Sequence, residues 1–138
     1  MRQLAQRRGV TGAIDFVGFL DMAGKQVQMA RSDIYLNTNR VDNMPVTVLE
    51  AGASGLPVVA TDVGGIPFLL THKDTALLVP SEDAEAMPQA IDRLIQRPEL
   101  AGELSERGRQ LAERSAWEAV LPQWEAVFAQ VIRSRETC

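Results

Sequence analysis

The apolar positions change period along the chain. Ala13–Val17, between Gly12 and Gly18, and Ile34–Leu36, after Ser32 and Asp33, are short apolar runs that read as buried strands. Between them, Val27 and Ala30 recur at helical spacing within Met22–Arg31 and predict a helix. A third strand is predicted over Pro57–Thr61, entered from Gly55 and left through Asp62 and Gly64, and a fourth over Ala76–Val79, stopped by Pro80. Beyond Pro80 the period is helical: Ala84, Met87, Ile91, Leu94 and Ile95, then Leu100, Leu104 and Leu111. A last stripe runs through Trp117, Val120, Trp124, Val127, Phe128, Val131 and Ile132, with a break or kink expected at Pro122 and a similar disturbance at Pro88. Strands alternating with helices, most of the strands apolar on both faces, predict an α/β protein. Its sheet is parallel and doubly wound, with amphipathic helices at the C-terminal end.

Composition narrows the classes. A length of 138 residues suits one domain, and 46% hydrophobic with 23% charged residues is a globular composition rather than a disordered one. With 14 basic against 18 acidic residues there is no basic footprint for nucleic acid. Met1, Leu4 and Ala5 read as the last turns of an amphipathic helix, which takes up the basic pair Arg7–Arg8 and leaves no transit-peptide pattern. No stretch has the length of a membrane span or a signal segment, so the expected setting is cytoplasmic. Cys138 is the one cysteine, which excludes an internal disulfide or a cysteine metal cluster.

The chemistry is concentrated in Asn37–Pro67. A strand ends at Asn37, a polar loop follows, and Asp42-Asn43-Met44-Pro45 opens a helix running to about Ser54, with Asn43 or Met44 as N-cap and Pro45 in the first turn. The amides of Val46, Thr47 and Val48 are then expected to be free, at the carboxyl edge of the sheet where phosphates and other ligands bind. Asp42 and Glu50, eight residues apart, add two carboxylates suited to accepting from sugar hydroxyls. Spacing alone favours the plainer reading, Asp42 as a surface cap and Glu50 as a solvated helix residue.

These residues resemble the donor-binding core of family-four retaining glycosyltransferases of the two-Rossmann-domain, GT-B type. In that family a Glu, seven residues and a second Glu precede a G-x-P-V-V strand and a G-G-x-P turn. Here Asp42 stands at the first position and Glu50 at the second, and Gly55-Leu56-Pro57-Val58-Val59 and Gly64-Gly65-Ile66-Pro67 follow at family spacing. Weaker resemblance runs from Phe16-Val17-Gly18 to Ser115-Ala116-Trp117. The resemblance implies that residues 1–138 are a partial nucleotide-sugar binding domain that takes a nucleotide diphosphate sugar and transfers the sugar, with retention, to an acceptor hydroxyl. It places the ribose hydroxyls on Glu50 and the sugar, with the charge developing at its anomeric carbon, on Asp42. The loop amides of Asn43, Met44, Pro45 and Val46 lie along the sugar, Thr47 at the diphosphate, and Leu20 under the base. It implies no cofactor and no metal.

The chain departs from the family pattern in three places. Asp42 is one methylene shorter than Glu, and Phe68 follows the Gly-Gly-x-Pro turn where many members carry Glu. The family's domain also begins with two more strands and a cationic pair for the diphosphate, which would precede Met1, as would the N-terminal acceptor domain. The chain alone is therefore expected to be inactive, and its exposed strand is expected to promote self-association. Rival readings are a GT-B phosphorylase, a sugar-nucleotide epimerase and a non-catalytic α/β binding module. A phosphorylase would need a lysine for pyridoxal phosphate, and Lys25 and Lys73 fall at predicted loop or helix-edge positions. An epimerase would need further acid and base groups, for which His72 is a poor candidate. The aromatic residues of the last stripe are expected to pack in a core or between domains. Glu103, Glu106, Arg107 and Arg109 read as a solvated face, and Gly64-Gly65 begins no dinucleotide fingerprint.

Overall fold

A computed structural model describes residues 1–136; Cys138 lies outside the described residues. Three strands, β1 (Tyr35–Asn37), β2 (Val58–Thr61) and β3 (Leu77–Val79), form a parallel sheet in that order. Tyr35 lies beside Val58 and Val59 beside Leu77. The predicted strands over 34–36, 57–61 and 76–79 are present, each moved or trimmed by about a residue at its ends.

The helices are α1 (Arg2–Arg7), α2 (Met22–Ala30), α3 (Val46–Ala53), α4 (Ile66–Leu69), α5 (Ala86–Gln96), α6 (Pro98–Arg114) and α7 (Trp117–Glu136). They cover both faces of the sheet, which makes it doubly wound as expected. On one face, Val48 and Ala51 of α3 and Ile66 of α4 pack on Val58 and Ala60. On the other, Ala90 and Leu94 of α5 and Leu104 of α6 pack on Val59, Leu77 and Val79. Alternate residues of β2 thus feed opposite cores, and its four residues are all buried.

Helix α6 also braces α3. Ser105 Oγ donates to the Gly55 carbonyl at 2.6 Å. A β-carbon on Gly52 would stand 2.7 Å from the Gly108 carbonyl oxygen, so the two helices approach more closely than side chains would permit.

The expected strand at Ala13–Val17 does not form. Thr11–Ala13 is a turn of 3-10 helix, and Ile14 is extended, yet no strand of the described residues pairs with it. An extended segment becomes a strand only through a neighbour's hydrogen bonds, and this one has none. It is instead held to α1, with the Arg2 guanidinium 4.5 Å from the centre of the Phe16 ring and Arg2 Nη2 donating to the Phe16 carbonyl at 3.2 Å.

Other expectations also need correction. Helix α2 forms, with Asp21 capping it through a 2.8 Å bond from the Gly24 amide, but Val27 and Ala30 face outward and Met29 packs on the core. Pro88 falls in the first turn of α5, where a missing amide costs nothing, and α7 runs through Pro122 without a break. Of the two places expected for the aromatic stripe of α7, a core or a contact between domains, the first is not taken among the described residues: Trp117, Trp124 and Phe128 are all more than half exposed, with Trp124 and Phe128 stacked on each other at 5.7 Å. No helix of the described residues is long and apolar enough to cross a membrane.

Candidate functional site

The site is assembled where β1 gives way to α3. Asn37 ends β1 and is buried; its side-chain Nδ2 donates to Asp42 Oδ2 at 3.2 Å, and its Oδ1 accepts from the Asn39 amide at 3.2 Å. Asn39 Nδ2 donates to the same Asp42 Oδ2 at 2.8 Å. The end of β2 holds the loop from the other side, with Thr61 Oγ1 donating to the Asn39 carbonyl at 2.5 Å and the Gly65 amide to the Asp42 carbonyl at 2.7 Å. Asp42 is therefore no solvated surface cap. Its carboxylate is fixed by two neutral amides.

Glu50 is held differently. It lies in the second turn of α3, and Lys25 Nζ of α2 reaches both its oxygens, at 2.6 and 2.8 Å. The two side chains are 31% and 27% exposed, so solvent screens the pair and its worth is on the order of 1 kcal/mol. This compensated carboxylate can still accept hydrogen bonds, because two oxygens offer about four lone-pair sites. Lys25 was legible only as a helix-edge lysine, since nothing local marks a pairing between residues 25 apart.

The opening of α3 differs from expectation by one residue, because Pro45 itself is the N-cap and is buried. Of the three amides expected to be free, Val46 donates to the Met44 carbonyl and Val48 to the Pro45 carbonyl, both at 2.9 Å. Thr47 keeps an amide with no such partner. The anion-binding capacity of the helix start is correspondingly smaller than three free amides would give.

Leu20, Lys25 and Thr47 line one open cleft of about 280 Å³ beside β1, and a neighbouring one of about 170 Å³ is lined by Lys25 and Glu50. The fold thus brings Leu20, Thr47 and, through Lys25, Glu50 together. Asp42, Asn43, Met44 and Val46 lie outside these clefts, on the loop and the first turn, with Met44 and Val46 exposed. Phe68 is 92% exposed on α4, just beyond the glycine turn. His72 has a structural task, since its Nδ1 accepts from the Leu78 amide at 3.0 Å on β3.

Comparison with known proteins places this geometry. The profile of the family described as "Glycosyl transferases group 1" matches residues 1–97, and the chain belongs to that family. A D-inositol 3-phosphate glycosyltransferase of Saccharomonospora viridis is 36% identical over 109 residues, covering 77% of this chain and 25% of that protein. A phosphatidyl-myo-inositol mannosyltransferase of Mycobacterium leprae is 30% identical over 134 residues, covering 96% of this chain and 34% of its own length. Among solved structures, sucrose-phosphate synthase of Thermosynechococcus elongatus superposes with a TM-score of 0.86 at 29% identity over 96% of this chain and 34% of that one. The chain spans about a quarter to a third of these relatives.

Proposed function

We propose that residues 1–138 form the donor-binding part of a retaining GT-B glycosyltransferase that moves a sugar from a nucleotide diphosphate to an acceptor hydroxyl. The observation that carries this reading is the pair Asp42 and Glu50, set at the carboxyl end of a parallel sheet in a chain of this family. Glu50, held open by Lys25, is assigned to the ribose hydroxyls, Leu20 to the base and Thr47 to the diphosphate. Asp42, held by neutral amides, is assigned to the sugar and to the positive charge that develops at its anomeric carbon. The backbone of Asn43, Met44, Pro45 and Val46 borders the sugar. Anabaena HepE, 21% identical and alike in fold with a TM-score of 0.79, is described in complex with UDP and with UDP-glucose, which makes uridine nucleotides the first to try.

No cofactor or metal enters this scheme, and its setting is the cytoplasm. On this reading the chain by itself binds donor and does not turn it over. A thermal melt with uridine, guanosine and adenosine diphosphates and their sugars tests the reading. A ligand at a hundred times its dissociation constant stabilises the folded state by about 2.7 kcal/mol. The expected result is a midpoint shift with one nucleotide that disappears in Glu50→Ala; a cooperative melt that no nucleotide moves would overturn the assignment.

A further inference from the structure

We propose that the Gly64–Gly65 turn positions Asp42 for the sugar half of the donor, independently of the nucleotide half held at Glu50; the proposal rests on the donor-site reading above. The turn leaves β2 and lies directly on the backbone of the Asp42 loop. Gly65 donates its amide to the Asp42 carbonyl at 2.7 Å. A β-carbon on Gly64 would run into the Asp42 carbonyl oxygen, and one on Gly65 would stand 2.6 Å from the Asn43 carbonyl carbon after meeting its oxygen. Backbone therefore touches backbone at both positions, and no side chain fits between them.

The consequence concerns a single oxygen. Both amides that reach the Asp42 side chain, from Asn37 and Asn39, bond to Oδ2. Oδ1 has no partner among the described residues, so it is the oxygen left to face a ligand. Its position follows from where the loop backbone rests, and the loop backbone rests on the two glycines. Glu50 does not share this support, because it sits on α3 and is held by α2. The two carboxylates are accordingly separable by mutation.

Gly65 is the better position to test. Its φ of −81° suits any residue, so Gly65→Ala alters the close approach and not the backbone preference, whereas Gly64 has φ +54°. Asn39→Ala, at an exposed residue, is a second variant that loosens Asp42 without touching the turn. Calorimetry on wild type and both variants measures the dissociation constants of uridine, guanosine and adenosine diphosphates and of their glucose, mannose and N-acetylglucosamine derivatives. The readout is the affinity added by the sugar. In wild type it is expected to be at least about threefold for one pair, and Gly65→Ala should remove it while the diphosphate itself binds within about twofold of wild type. Asn39→Ala should reduce it in part, and decides alone if Gly65→Ala does not fold. An unchanged sugar increment, or loss of diphosphate and sugar binding together in a folded variant, would overturn the proposal. So would a wild type that binds the diphosphate but gains nothing from any sugar. A wild type that binds no nucleotide at all would instead remove the donor-site reading beneath it.

Discussion

Asp42 and Glu50 are eight residues apart yet stand in two kinds of surroundings. The Asp42 loop is fixed by neutral donors, two asparagine amides at 3.2 and 2.8 Å and the Gly65 backbone, so the carboxylate is held without a cationic partner among the described residues. Glu50 faces a lysine that takes both its oxygens at 2.6 and 2.8 Å. One carboxylate meets neutral donors and the other a cation, and under the proposed function the first serves as a source of field and the second as a hydrogen-bond acceptor. Environment can divide such roles between two identical functional groups. Glu50 also stands on α3, which approaches α6 closely at Gly52 and Gly108.

That helix contact gives the largest expected effect. Gly52→Ala brings a β-carbon to 2.7 Å from the Gly108 carbonyl oxygen, and the helices must part, at a cost of about 1–3 kcal/mol in a denaturant melt despite the better helix propensity of alanine. Lys25→Met should weaken diphosphate binding by about three- to tenfold and leave the sugar increment intact, the reverse of Gly65→Ala, as titration calorimetry would show. If both variants affected both halves alike, the contrast between the two carboxylates would be lost. Thr61→Val removes the 2.5 Å bond to the Asn39 carbonyl and should lower stability by about 1 kcal/mol while loosening the Asp42 loop, seen as faster amide exchange there. Gly108→Ala sharpens the picture by its opposite sign: its β-carbon would lie 3.7 Å from Gly52 Cα, an ordinary contact, so the melt should hold or gain up to about 1 kcal/mol. Phe128→Ala, on the exposed face of α7, should change stability by less than about 0.5 kcal/mol.

The alternation of strand and helix from Ile34 to Val79 was legible because each strand there is apolar enough to be buried on both faces, and the structure buries β2 completely. Asp42 and Glu50 were singled out by the family resemblance rather than by their spacing. Lys25 was not, since its partner is remote in sequence, nor was the outward turn of Val27, which depends on where the core happens to lie. Residues 14–17 carry a strand's pattern, but pattern supplies only a willing segment and pairing supplies the strand. The glycine pair could be read as a family mark and not as a clasp, because its task is defined by the backbone that comes to rest on it.

The order of the sheet also bears on how the chain is made. Strands β1, β2 and β3 are neighbours in space in the order in which they are synthesised, so each can pair with its predecessor as it leaves the ribosome. Helix α3 emerges early in that sequence but meets its brace late, because Gly108 and Ser105 follow all three strands. The candidate site is therefore outlined during translation and tightened only near its end. A ribosome stalled before α6 would present Glu50 on a helix not yet seated.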